Sequence, residues 1–418
     1  MTAVPITAWA ATSSTGQGTK SKRNEQSHSM SARSYLDWNA TAPMREEAKA
    51  AFAAAISLAG NPSSVHAEGR AARALIETAR DQVAALVGAL PGNVFFTSSG
   101  TEANMLALTP AIETADEKRP RSRLFISAIE HVSVRAGGRF PREAVEELPV
   151  DPDGRLDLAA LTAAIAKAPR PLVSVMLANN ETGIVQPVAE ATAIVHAAGG
   201  LFHVDAVQAI GRIACDITAL GADLLALSAH KIGGAKGTGA LIRARDDIHF
   251  SEPLVRGGGQ EWGLRAGTEN VAGIAAFGAA AAAAAAGRDG EAAHMRSLRD
   301  RLEVGLSAVT PEATIFGRDT APRLPNTTLF GLPGIKAETA VIAFDLEDVA
   351  VSSGAACSSG KVQPSHVLAA MGVSGPLQRG AVRVSLGWNS TEADVEKFLS
   401  AWRKLATALS KGRQGIAA

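Results

Sequence analysis

Lys231 stands in the run Ser228-Ala229-His230-Lys231, just ahead of the glycine-rich Gly233-Gly234-Ala235-Lys236-Gly237, where a bound molecule can come close to the backbone. A lysine amine so placed can form an imine with an aldehyde, and Asp205, closing an apolar run from Leu201, offers a carboxylate able to keep a pyridine nitrogen protonated. The segment Val94-Phe95-Phe96-Thr97-Ser98-Ser99-Gly100-Thr101-Glu102 passes from an apolar run through small hydroxyl residues into a helical stretch, Ala103–Leu108. The free N–H groups and the positive end of that helix suit a phosphate, although the same residues serve equally to cap a helix. Lysine, carboxylate and phosphate cradle together are what pyridoxal phosphate (PLP) requires. Lys236 competes for the imine, and its place in the run is all that counts against it.

Three further residues carry chemistry. His131 follows Glu130 after the apolar run Arg123–Ser127; it either packs as a core histidine or lies over the ring, where an ordinary pKa near 6.5 suits proton transfer. Gln208, a helical turn beyond Asp205, either reaches the ring hydroxyl or stays exposed on a helix. Cys357 lies in Val351-Ser352-Ser353-Gly354-Ala355-Ala356-Cys357-Ser358-Ser359-Gly360-Lys361, a run of tiny side chains that forms no core, so an exposed loop is expected, with Lys361 favouring the thiolate. Cys215, among Ile213, Ala214 and Ile217, reads as an inert core residue.

These residues need elements to hold them. From Tyr35 onward short apolar runs alternate with amphipathic stretches such as Ala71–Val87, Leu158–Ala168 and Val188–Ala198, the pattern of an α/β domain with a mostly parallel sheet. Strands are expected at Val94–Thr97, Arg123–Ser127, Leu172–Leu177, Leu201–Val204 and Leu224–Leu227, and successive ones end at Glu130-His131, Asn179-Asn180-Glu181, Asp205 and Ser228–Lys231. Ligands of open α/β sheets bind beyond such carboxyl ends, so one shared pocket is expected. After Gly287 a charged helix, Glu291–Leu306, and shorter strands at Asn326–Phe330 and Val382–Leu386 suggest a smaller α+β domain. The expected division is a disordered tail over 1–33, a large domain over 42–290, and a small domain over 34–41 and 291–418.

Composition narrows the partners. The 418 residues carry 41 Lys+Arg and 41 Asp+Glu, so no surplus charge points to nucleic acid or an anionic membrane surface. The most apolar run, Val271–Ala286, is mostly alanine broken by Gly273 and Gly278 and reads as a helix packed inside the protein, with no membrane span expected. Two cysteines are too few for a disulfide scaffold and suit a reducing compartment, hence the cytoplasm.

At this point the sequence resembles the cysteine desulfurases, class V of the PLP enzymes with aminotransferase fold type I. The likeness runs from Tyr35-Leu36-Asp37 to Leu386-Gly387. It includes the blocks from Gly60 to His66 and from Gly100 to Asn104, Ala178-Asn179-Asn180-Glu181-Thr182-Gly183, and His203-Val204-Asp205-Ala206-Val207-Gln208. Gly257-Gly258-Gly259-Gln260-Glu261 and Arg265-Ala266-Gly267-Thr268-Glu269-Asn270 continue it, and the run before Cys357 followed by Pro364-Ser365-His366-Val367-Leu368 is similar to the long-loop group of NifS and IscS type. The resemblance implies that Lys231 carries PLP, Asp205 pairs with its nitrogen, His131 stacks on its ring, and Gln208 and Asn180 contact the hydroxyl side or the substrate. It further implies that Gly100, Thr101, Ser228 and His230 hold the phosphate, with Thr268 contributed by the neighbouring subunit of a homodimer, and that Arg383 clamps the substrate carboxylate. Ala229, Ala235, Trp38 and Trp388 depart from the usual residues, and none removes a catalytic group.

The expected reaction moves sulfur from L-cysteine to Cys357 as a persulfide, releases L-alanine, and passes the sulfur to an iron–sulfur scaffold or another acceptor protein. A selenocysteine lyase would be told apart by its substrate ratio, and a sulfur-delivery scaffold without turnover by a colourless preparation.

Overall fold

The computed structural model describes residues 33–320, 322–354 and 364–416; Cys357, Lys361 and the tail over 1–32 lie outside the described residues. Seven runs form the central sheet: β1 (Val94–Thr97), β2 (Leu124–Ser127), β3 (Val145–Leu148), β4 (Leu172–Met176), β5 (Leu201–Asp205), β6 (Leu224–Ser228) and β7 (Gly239–Arg243). Across the sheet they lie in the order β1-β7-β6-β5-β4-β2-β3. β7 runs antiparallel to both of its neighbours, while β6, β5, β4, β2 and β3 pair in parallel. Every strand except β7 therefore points the same way and ends at the same edge.

These strands read as continuous apolar runs because both faces are covered, and the pleat sends successive side chains to opposite sides. In β6, Leu225 and Leu227 join one buried cluster with Phe202, Val204, Ile242 and Phe277, whereas Leu224 and Ala226 join another with Phe95, Leu106, Leu172 and Leu241. The helices used below are α1 (Glu46–Ile56), α2 (Ala67–Leu86), α3 (Gly100–Ala107), α4 (Leu158–Ile165), α5 (Val188–Ala197), α6 (Val271–Val309) and α7 (Glu392–Ile416).

A second sheet is antiparallel throughout: β8 (Thr314–Phe316), β9 (Thr327–Gly331), β10 (Ser352–Ser353) and β11 (Val382–Ser385), in the order β8-β9-β11-β10. It packs with Val395, Phe398 and Trp402 of α7, the Phe330 and Trp402 rings meeting edge-on at 5.1 Å.

The helix expected to begin at Glu291 is the second half of α6, one continuous element of 39 residues. Its first half supplies Ile274, Phe277 and Ala280 to the central-sheet core, and its second half supplies Leu298, Leu302 and Leu306 to the core of the second sheet. The two glycines near the expected break are absorbed because both ends of the helix are held by packing. A Cβ at Gly278 would lie 2.5 Å from Ala79 Cα, so small residues let α6 touch the α2 backbone. By length and composition α6 is apolar enough to cross a membrane, whereas its run Val271–Ala286 was expected to pack inside the protein; half of its most apolar stretch is buried.

Arg80 and Glu261 tie α2 to the segment before α6. The guanidinium meets Glu261 through Nη1 and Nη2 at 2.9 and 2.8 Å, and Phe96 N donates to Glu261 Oε2 at 2.8 Å. Both side chains are buried and Arg80 lies between the Phe96 and Trp262 rings. Glu261 adopts φ 45°, a conformation this pairing holds in place. Replacing Glu261 by Ala takes the bidentate partner from a buried cation and leaves it only the half-exposed Glu77, 3.1 Å from Arg80 Nε, so urea unfolding should show a loss of about 3 kcal/mol.

Candidate functional site

Parallel strands bring their carboxyl ends together, and there a cavity of about 350 Å³ opens between the two sheets. Gly100, Thr101, His131, Asn180 and Asp205 line it, as do Gln208, Ser228, His230, Lys231 and Arg383. Thr268 is exposed and is not in this wall, and Lys236 is exposed on a neighbouring cleft.

Asp205 ends β5 and is 5% exposed. Its Oδ1 accepts from Val207 N at 3.0 Å and its Oδ2 from Asn104 Nδ2 at 2.8 Å. Behind it Glu130 is wholly buried and accepts from Met176 N at 2.6 Å through Oε1. Burial, reinforced by the negative charge of Asp205, holds the Glu130 carboxyl well above the usual range and favours its neutral form. Burial likewise pushes His131 below its ordinary value, against Asp205, which favours the cation.

Lys231 Nζ donates to the carbonyl oxygens of Asn39 and Ala40. Asn39 O also accepts from Gln208 Nε2 at 3.0 Å, and Gln208 Oε1 accepts from Arg212 Nη1 at 2.6 Å. Gln208 is therefore a buried wall residue, which removes the exposed-helix alternative. Next to Lys231, His230 Nδ1 is 3.1 Å from Thr41 Oγ1, and burial, with the Lys231 charge, lowers its pKa to about 4.

At the start of α3, Ser99 Oγ accepts from Glu102 N at 3.2 Å, so the segment is a helix cap as well as a wall of the cavity. A Cβ at Gly100 would come within 2.9 Å of Val207 Cγ2, so glycine is required where this turn meets the end of the sheet.

Arg383 enters from β11 and is 2% exposed. Its Nη2 pairs with Asp37 Oδ1 at 2.9 Å and its Nη1 donates to Asn180 O at 3.0 Å, while Nε has no hydrogen-bond partner among the described residues. Asn39 Nδ2 donates to the same Asn180 oxygen at 3.1 Å. Residues 37–42 thus form a strap across the cavity, which sequence reasoning missed apart from Asp37 within a family block and Trp38 as a departure from it. Ser133 was missed as well, since only its contacts mark it, while Glu130 was read only as part of a strand end and Asn104 only within a family block, neither with a role. Trp38 and Trp388, the departures noted above, meet edge-on at 4.7 Å, with Arg45 over the Trp388 ring at 3.8 Å. Cys215 is buried and its thiol is pushed up to about 12 by burial, as an inert core residue requires.

Glu181 sits under Arg383 and accepts from Ser365 Oγ at 2.6 Å. Burial outweighs that bond and raises its pKa from 4.5 to about 7. The stability this proton binding supplies is full below about pH 4.5 and is lost as the pH rises through about 7. Between those limits the wild type should lose about 3 kcal/mol relative to Glu181→Gln, read from urea unfolding against pH.

The sequence pattern of the aminotransferase class-V family matches residues 34–398. The chain is 43% identical over 374 residues to a cysteine desulfurase from Cereibacter sphaeroides, covering 88% of this chain and 94% of that protein. It is 38% identical over 390 residues to an IscS-like cysteine desulfurase from Mycobacterium tuberculosis, covering 92% and 98%. An X-ray structure of a NifS-like protein from Rickettsia africae superposes with a TM-score of 0.79 at 36% identity, covering 89% of this chain and 99% of that one. With an α/β fold built on a mostly parallel sheet and a match over most of its length, the chain belongs to the aminotransferase class-V family.

Proposed function

We propose that this chain is a cysteine desulfurase, taking sulfur from L-cysteine onto Cys357 and releasing L-alanine. The observation that carries this is the meeting of Lys231, Asp205, His131 and Arg383 in one cavity walled by the start of α3. PLP fits these groups: an amine for its aldehyde, a carboxylate for its pyridine nitrogen, and Gly100, Thr101, Ser228 and His230 for its phosphate. The buried Arg383 Nε, without a partner among the described residues, suits a substrate carboxylate. Asn180 and Gln208 fit the ring hydroxyl or the substrate.

Bound there, PLP supplies the electron sink for the charge left on the substrate Cα. Arg383 would orient the carboxylate; Lys231 Nζ would remove the Cα proton and later return it; His131 would lie against the ring and assist proton transfer there. The Cys357 thiolate attacks the substrate sulfur, so an S–S bond forms and the Cβ–S bond breaks. In net terms the Cys357 proton ends on Cβ of alanine, and the persulfide keeps the substrate thiol proton. An iron–sulfur scaffold or another acceptor protein then takes the outer sulfur, in the cytoplasm, where thiols are kept reduced.

A homodimer is part of the reading. The neighbouring subunit's phosphate site would receive Thr268, which is exposed here, and exposed Val65 and Trp262 lie on adjoining segments joined by Gln260 Nε2 donating to Ser63 Oγ at 3.5 Å.

Borohydride reduction followed by peptide mapping should label Lys231. Cys357→Ala should keep the yellow cofactor while sulfide and alanine release fall about a hundredfold or more; undiminished release would refute the role of the thiol. Arg383→Lys should lower kcat/KM for L-cysteine about 10- to 100-fold, the loss of a charge-assisted bidentate contact.

A further inference from the structure

Asn104 sets the direction of a short chain of hydrogen bonds. Its Nδ2 lies 2.8 Å from Asp205 Oδ2 and 2.9 Å from Ser133 Oγ. A carboxylate only accepts, so the amide must present its NH2 to Asp205, and the second hydrogen of that group goes to Ser133 Oγ. Turning the amide over would set its oxygen against the carboxylate. With one lone pair of Ser133 Oγ so engaged, the hydroxyl proton is directed at His131 Nδ1, 2.8 Å away. The backbone N–H of Ser133 donates to the same nitrogen at 3.2 Å. Nδ1 thus faces two donors, and a nitrogen that accepts from two donors carries no proton. Burial keeps the ring from becoming a cation, so its one proton resides on Nε2, on the opposite side of the imidazole.

We propose that Ser133 and Asn104 are positioning residues that lock His131 as the Nε2–H tautomer, so that it meets the reacting atoms as a hydrogen-bond donor and not as a base. The role rests on the reading of this cavity as the PLP and L-cysteine site. It divides the labour there: Lys231 removes and returns the Cα proton, and His131 donates a hydrogen bond from Nε2 that orients and polarises the group it faces. The orientation is anchored at Asp205, so the group that pairs with the pyridine nitrogen also governs, through two side chains, the histidine above the ring.

The test uses holoenzyme carrying ring-15N histidine. The chain has 9 histidines, and the His131 signals are identified by their loss in His131→Gln. In the wild type a pyridine-like Nδ1 and a pyrrole-like Nε2 are expected. Ser133→Ala should give a mixture of tautomers, with kcat lower by about tenfold and KM for L-cysteine moved by less than about threefold. Ser133→Thr, which keeps the hydroxyl, should restore both. A protonated Nδ1 in the wild type overturns the proposal, whatever the variants do. So does a Ser133→Ala enzyme that binds PLP with tautomer and kcat unchanged. Failure of the PLP reading itself shows separately, as the absence of a borohydride label on Lys231.

Discussion

A carboxylate buried at the end of the central sheet is the constraint from which the rest of the site follows. Taking a carboxylate out of water costs several kcal/mol unless its oxygens are satisfied. Asp205 meets that demand with two neutral donors, the Val207 N–H and the Asn104 amide. A second negative charge alongside would undo the arrangement, and at Glu130, wholly buried behind it, burial first and the charge of Asp205 second hold the carboxyl well above the usual range and so favour its neutral form. The single charge is therefore concentrated on Asp205, at the edge where the strands end. A protonated pyridine nitrogen brought there would add a cation to a carboxylate that uncharged N–H groups already hold in place.

The second requirement is that residues from two sheets meet with fixed spacing. Lys231 follows β6 of the parallel sheet, whereas Arg383 lies within β11 of the antiparallel one. The strap joins them. Ser34 N donates to Asp348 O and Trp38 N to Ser385 O beside β11, and Ala42 N donates to His230 O beside Lys231. Between these anchors the carbonyl oxygens of Asn39 and Ala40 receive the lysine, and Asp37 holds the arginine. α6 adds a second link, since one unbroken helix serves both cores. Positions separated by more than three hundred residues in Asp37 and Arg383 are thereby set by a few short backbone ladders.

This division also explains what was legible in the sequence. Val94–Thr97 was read with its observed bounds because a strand covered on both faces leaves an uninterrupted apolar run. Asp205 and Lys231 were legible because a carboxylate and an amine stand out at the ends of apolar strand runs. β7 went unread: it opens on a glycine just after the glycine-rich turn that returns the chain from β6, and its place in the sheet also depends on β1, a partner remote in sequence. The break expected after Gly287 failed because local helix propensity is a weak prior beside packing at both ends of α6. Asn39, whose main contribution is a backbone carbonyl, had no side-chain signature to read, and Ser133 matters only through its distance to His131.

The turn after β4 shows how closely the wall of the cavity and the support of the C-terminal elements are joined. Asn179 Oδ1 accepts from Glu181 N and Thr182 N at 2.9 and 3.0 Å, and its Nδ2 donates to Ile129 O, so the turn is pinned by its own first side chain. Gly183 closes it at φ 76°, a conformation that favours glycine. Within this fixed turn Asn180 offers its carbonyl to Arg383 and Asn39, and Glu181 receives Ser365, the N-cap of the helix His366–Ala370. Arg383 and Ser365 thus rest on consecutive residues of one turn. Because Arg383 and the cap of the C-terminal helix share this support, neither can shift without straining the other, and burial, by favouring the protonated form of the Glu181 carboxyl, limits the charge that the support must bury.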